Sequence, residues 1–173
     1  MDESERRELF KRWLEEYRGL VHKVVRAFAS GRENQLDLFQ DIALQLWRST
    51  GAFRIVGAES TWVYKVALNT AVVYHRKGKR HRTESMPDDK SLDLPACSAN
   101  ANSLEDREML ELLYGAIREL PKADRSIILL NLDGSSNREI ADMVGISPGY
   151  VAVKLTRIRK RLSELMRRQT DGT

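Results

Sequence analysis

The side chains best equipped for chemistry in this sequence are cations, amides and carboxylates set at helical spacing. Residues 135–162, SSNREIADMVGISPGYVAVKLTRIRKRL, hold the sharpest set. Ser136 and Glu139 have the S-x-x-E spacing of a capping box, in which each side chain satisfies the other residue's backbone N–H at a helix start. Gly145 suits a tight turn that needs a positive φ. Ser147 is fit to cap a second helix, and Pro148 fits its first turn, where a missing N–H costs nothing. Ile140, Ala141 and Val144 form the inward face of the first helix, and Val151, Leu155, Ile158 and Leu162 that of the second. This is the local chemistry of a helix-turn-helix, whose second helix enters the DNA major groove by its N-terminal end. Gly149, Tyr150, Ala152, Val153, Thr156 and Arg157 lie on or beside its outward surface. Lys154, Arg159, Lys160 and Arg161 are placed for phosphates, and Arg138 on the preceding helix joins the DNA-facing set. Phosphate contacts supply affinity and base-edge contacts supply specificity. A helical hairpin with a solvated basic face has the same residue pattern.

Other chemistries lack their residues. Three histidines (His22, His75, His81) and the single Cys97 are scattered, with no zinc spacing. No nucleophile–base arrangement and no phosphate loop is legible, so neither an enzyme nor a resident cofactor or metal is expected, and no small-molecule substrate. One cysteine forbids an intrachain disulfide and fits a cytoplasmic home. No apolar run approaches the roughly 20 residues of a membrane span, so direct membrane insertion is not expected. MDESERRELF is too charged for a secretory signal.

The elements that must position these residues are helical throughout. Residues 1–82 carry a net charge of +6, residues 83–108 of −5 and residues 109–173 of +3. Two basic blocks, suited to a polyanion, thus flank an acidic stretch. Residues 83–107 read as a flexible acidic linker holding two of the four prolines. We expect an all-α chain of two small helical domains, 1–82 and 108–173, the second a helix-turn-helix domain. The first block reads as three helices. The first spans Ser4 to Phe28, with a stripe that includes Trp13 and Val21. The second runs from about Gln35 to Arg48 and turns Leu36, Phe39, Ile42, Ala43, Leu46 and Trp47 inward. The third begins at Ser60 as N-cap and runs to about Gly78. In the second block, Met109, Leu112, Leu113, Ala116, Ile117 and Leu120 form a stripe that Pro121 ends. A short helix follows, from Asp124 to Leu132.

Three motifs in order resemble the extracytoplasmic-function (ECF) sigma factors, minimal members of the bacterial primary sigma-factor family. The resemblance covers roughly residues 10–80 and 108–165. The first motif is DLFQDIALQLWRS, residues 37–49, similar to the helix that docks on core RNA polymerase at its β′ coiled coil. The resemblance gives that role to Asp37, Gln40, Asp41, Leu44 and Trp47. The second is WVYKVALNTAVVYHRKGKR, residues 62–80, similar to the helix that melts and reads the −10 promoter element. It implies DNA contacts by Lys65, Asn69, Arg76 and Lys77. The preceding loop AFRIVGAES, with Phe53 as its anchor and Arg54 beside it, is implied to receive a flipped base. Tyr64 on its own fits a core aromatic. The third is the helix-turn-helix with its approach LPKADRSIILLNLDG, residues 120–134, which implies −35 readout and a weaker contact with the polymerase β flap. Tyr150 and Ala152 depart from the frequent Thr and Lys. Ala152 suits a thymine methyl, and Tyr150 can stack or hydrogen-bond. The resemblance further implies promoter DNA and an anti-sigma factor as partners. The alternative is a helix-turn-helix regulator that acts without core polymerase, which leaves residues 37–49 and 62–80 unexplained.

Overall fold

The computed structural model describes residues 2–54, 58–77 and 103–171, apart from the side chains of residues 75–77, 170 and 171. Among these residues there are eight α-helices and one 3-10 turn, and no strand. They form two compact units, described separately. Residues 55–57 and 78–102 (Cys97 included) and the side chains of His75, Arg76 and Lys77, for which the sequence raises expectations, lie outside the described residues.

The first unit opens with α1 (Glu3–Glu16), started by a capping box between Asp2 and Glu5, with both bonds at 2.8 Å. The single helix expected over residues 4–28 is in fact two. At Tyr17 the backbone leaves helical geometry (φ −102°, ψ 15°), and α2 (Arg18–Phe28) sets off from there. The two halves share α3 but differ in their other neighbours. α2 packs on α4 and α3, whereas α1 packs on α3 and on the 3-10 turn Thr50–Ala52. Gly19, a weak helix former, follows the break. α2 buries Val21, Val24, Val25, Ala27 and Phe28, and also His22.

α3 (Arg32–Ser49) is buried along Leu38, Ile42 and Leu46, one residue every turn. The expected inner face is corrected in part: Leu38 belongs to the spine, while Leu36, Phe39, Ala43 and Trp47 are half-buried. At its C-terminal end, Ser49 and Thr50 donate their hydroxyls to the carbonyls of Leu46 (2.9 Å) and Trp47 (2.7 Å). These carbonyls belong to the last turn, which has few intrahelical donors. α4 (Glu59–Lys77) places Val63, Ala67 and Ala71 in the core, and the small residues let neighbouring helices approach closely. The Tyr64 ring is buried, as its core reading expects.

The second unit starts one turn earlier than expected. Ser103 and Asp106 form a capping box that begins α5 (Leu104–Glu119), so residues 104–107 are helix and not linker. Met109, expected in the apolar stripe, is 57% exposed. Tyr114, Ala116, Ile117 and Leu120 carry the buried face. Pro121 keeps Leu120 extended (ψ 155°), and α6 (Lys122–Leu132) follows. The largely buried Arg125 donates from Nε to the Leu120 carbonyl at 2.9 Å and from its Nη2 to the Arg118 carbonyl. It thereby satisfies the orphan carbonyls where α5 ends. α7 (Asn137–Val144) carries the Ser136–Glu139 capping box and ends at Gly145, left-handed at φ +80°. The Gly145 and Ile146 amides both return to the Ala141 carbonyl. α8 (Pro148–Asp171) starts with Ser147 Oγ accepting from the Tyr150 amide at 3.2 Å. It buries Val151, Leu155, Ile158, Leu162 and, one turn further, Leu165.

His22 makes a prediction. Its ring is buried and stacked on Phe39 (centroids 5.3 Å apart, planes at 14°), and its Nε2 has no hydrogen-bond partner among the described residues. Burial, then Arg18 and Arg26, push its pKa below the ordinary 6.5. Unfolding therefore lets it take up a proton that the folded state refuses, so this contribution is fully present above about pH 6.5 and is lost as pH falls below it. Thermal unfolding of the first unit, followed between about pH 7.5 and pH 5, should show the transition fall. In His22→Phe, which keeps the stack without a titrating nitrogen, the fall should be smaller. An equal fall in both proteins rejects the assignment.

Candidate nucleic-acid and partner surfaces

In the first unit the functional segments are tied together by Trp13. The indole is fully buried, so its N–H must find an acceptor. Nε1 donates to Glu59 Oε2 at 2.9 Å, and Arg12 holds the other carboxylate oxygen at 2.7 Å. Glu59 is drawn into the first turn of α4, and the Trp62 amide closes that turn on the Ala58 carbonyl at 3.0 Å. Ser60 is therefore a helical residue and not the N-cap. The Phe53 ring meets Trp13 edge-on at 5.2 Å and Trp62 at 5.7 Å. Trp62 Nε1 in turn donates to Ser49 Oγ at 3.2 Å. Both ends of the segment between the 3-10 turn and α4 thus rest on Trp13.

The site residues assigned to DNA in this unit fare differently. Phe53 is half-buried in the aromatic cluster, so its ring packs the start of the loop. Arg54 folds back, donating to the carbonyls of Gly51 (2.6 Å) and Phe53 (3.0 Å). Lys65 and Asn69 are exposed on α4, one turn apart.

Of the residues assigned to polymerase, Trp47 alone is set apart from the others on α3. Asp41 and Leu44 line a groove of about 710 Å³ between α3 and α4, and Asn69 and Val73 line it from the other side. Leu44 (45% exposed) and Val73 (49%) give it an apolar rim. Tyr74 at the same groove has its phenol pushed upward by burial and by Asp37, Asp41 and Glu33. Asp37 and Gln40 are exposed on α3. Trp47 is not presented with them. Its indole lies under the Arg6 guanidinium (5.1 Å) and meets Phe10 edge-on at 5.5 Å.

In the second unit, Gly149, Tyr150, Ala152, Val153, Thr156, Arg157 and Arg159 are exposed on α8, and Arg138 is exposed on α7. Tyr150 (47%) and Val153 (46%) are large apolar groups left open at the N-terminal end of the helix. Lys154, assigned to phosphate, is engaged within the unit. Its Nζ lies 2.7 Å from Asp124 Oδ1 on α6, in a partly buried ion pair. The hydrogen bond to Asp124 holds its ammonium above the usual lysine range. Arg159 shares part of its guanidinium with Asn131 Oδ1 at 3.0 Å. Sequence reasoning missed both Asp124 and Glu59. No local motif marks either one, because each partner lies 30 or more residues away.

Fold and surfaces together define an all-helical protein with a helix-turn-helix and a second helical unit grooved between two helices. The sigma-70 region 2 family matches residues 13–81, and the sigma-70 region 4 family matches residues 110–162. The ECF RNA polymerase sigma factor SigM of Mycobacterium tuberculosis is 26% identical over 147 residues, covering 84% of this chain and 71% of that protein. The ECF RNA polymerase sigma-E factor of Escherichia coli is 28% identical over 134 residues, covering 73% and 70%. The sigma factor RpoE of Bartonella quintana, solved in complex with the anti-sigma factor NepR, has the same fold. Its TM-score is 0.66 at 23% identity, over 91% of this chain and 96% of that one. This chain belongs to the sigma-70 family and, within it, to the ECF RNA polymerase sigma factors. It has the function of an RNA polymerase sigma factor, a DNA-binding regulator of transcription initiation. No helix among the described residues is long and apolar enough to cross a membrane.

The Trp13–Glu59 bond is measurable. Glu59→Ala leaves a buried donor unsatisfied and should lower stability by about 1–3 kcal/mol. Trp13→Phe should cost a similar amount or more. The two losses should fall short of additive in a double-mutant cycle read by urea unfolding. Full additivity means the bond contributes nothing.

Proposed function

We propose that the first unit docks on core RNA polymerase through α3 and engages the −10 element through α4, while α8 reads the −35 element. The observation that carries the reading is the groove in which Asp41 and Leu44 of α3 face Asn69 of α4. A partner helix laid along α3 finds carboxylates, an amide and an exposed leucine, the mixture of anchor and polar rim that helix recognition uses. Asn69 and Lys65 then stand at the α4 edge to meet promoter DNA. On α8, Tyr150, Ala152, Val153 and Thr156 offer apolar and hydroxyl contacts to base edges, and Arg157, Arg159 and Arg138 offer charge to phosphates. Two DNA-contacting units on one chain make the second contact intramolecular, which raises avidity.

The protein works in the cytoplasm, without enzymatic activity of its own, and an anti-sigma factor holds it in check. The structural relative solved with an anti-sigma factor supports such a partner. The apolar rim of Leu44 and Val73 suits a protein that competes with polymerase for the groove.

The test is transcription by purified core polymerase with and without the full chain, on a library of promoter sequences. Initiation at defined sites that depends on the chain is expected. DNA binding that needs no core, with no gain in initiation, favours a regulator that acts alone. Asn69→Ala should slow open-complex formation about tenfold, the loss of roughly one hydrogen bond to DNA, with core affinity unchanged. Asp37→Ala combined with Asp41→Ala should weaken core binding by about tenfold or more. Loss of core binding in Asn69→Ala means the two walls of the groove serve one partner.

A further inference from the structure

α8 carries a row of cations that sequence treats alike, yet the structure separates one of them. The Lys154 ammonium is turned away from the exposed row onto Asp124 of α6, at 2.7 Å, with the lysine side chain 26% exposed and the aspartate 16%. One turn earlier on α8, the Tyr150 ring lies with its centroid 5.9 Å from the same ammonium, within reach of a cation–π attraction. The Tyr150 backbone is fixed independently, its amide donating to Ser147 Oγ. A tyrosine at the entering end of a recognition helix has two free χ angles, and a base-edge contact requires one ring orientation. A lysine on a flexible four-carbon stem is otherwise a mobile point charge that any phosphate attracts.

We propose that Asp124 is a positioning residue for promoter readout: it withholds Lys154 from the DNA backbone and holds it against Tyr150, so that the tyrosine ring meets the −35 bases in one orientation. The inference rests on α8 being the −35-reading helix. Its consequence is a lower affinity for arbitrary DNA and a larger ratio of promoter to non-promoter binding. Non-specific binding scales with the number of phosphates neutralised, and each one adds about 0.9 to the slope of log K against log salt.

The experiment measures that slope for holoenzyme made from core polymerase and the full chain. One DNA carries the selected −35 sequence and a second carries a scrambled −35. Asp124→Ala, which leaves no acceptor for the ammonium, should release Lys154 and steepen the slope by about 0.9. This is an additional three- to fourfold loss of affinity between about 50 and 200 mM salt. Binding to the scrambled DNA should rise several-fold, and the promoter-to-scrambled ratio should fall. Lys154→Gln, whose amide can still donate to Asp124, should leave the slope unchanged and lower the ratio. The double variant should return the slope to that of the wild type. A pair that only braces α6 against α8 would change thermal stability and move neither slope nor ratio. An unchanged slope in Asp124→Ala, or a slope shallower by about 0.9 in Lys154→Gln, overturns the proposal. If Asp124→Ala does not fold, the Lys154→Gln slope decides by itself. A wild-type chain that forms no promoter-binding holoenzyme overturns the functional reading and this inference together, whereas a working wild type with unmoved variants overturns the inference alone.

Discussion

A buried indole needs a hydrogen-bond acceptor, and much of the first unit is arranged around meeting that need. Trp13 is fully buried, and its N–H is satisfied by the Glu59 carboxylate from the start of α4. A carboxylate in the first turn of a helix is also favoured by the unpaired amides there. The same indole takes the Phe53 ring on its edge, so α1, the 3-10 turn and α4 meet at one side chain. Because this junction sets where α4 begins, it also sets which α4 residues turn toward α3. Asn69 and Val73 reach the groove, while Val63, Ala67 and Ala71 fill the core.

The second unit depends on a different economy. Its core is almost wholly aliphatic, and its polar groups work at helix ends. Ser103 with Asp106 and Ser136 with Glu139 close helix starts, and Arg125 closes the end of α5 from a largely buried position. A buried guanidinium is tolerated because its donors meet backbone carbonyls that would otherwise lack partners. These helix ends are thereby closed without using the outward surface of α8. That surface is left free to present Tyr150 and Val153, groups a purely solvated helix face has no reason to expose.

Cations of equal charge are not equal in availability. Lys154 is held by Asp124, Arg159 is partly engaged by Asn131, Arg54 is turned onto its own carbonyls, and Arg6 lies over Trp47. Lys65, by contrast, stands exposed on α4. Counting basic residues therefore overstates how many cations this fold leaves unengaged.

What could be read from the sequence was whatever is local. Capping boxes act over three residues, the left-handed Gly145 over one turn, and the stripe Val151–Leu155–Ile158–Leu162 follows from helical period. All of these, with the all-α class and the family, were legible in residue order. Tertiary structure decided what depends on partners distant in the chain. The break at Tyr17 lets α1 pack on the 3-10 turn while α2 packs on α4, both against α3. α4 starts at Glu59 instead of a cap at Ser60 because Trp13 calls for a carboxylate there. Leu38 replaces Leu36 in the spine, and Met109 leaves the stripe, because periodicity gives a face and only packing chooses its centre. Trp47 turns to Arg6, and Lys154 to Asp124, for the same reason: a side chain goes to whichever group lies nearest in space, and that distance is set by the fold.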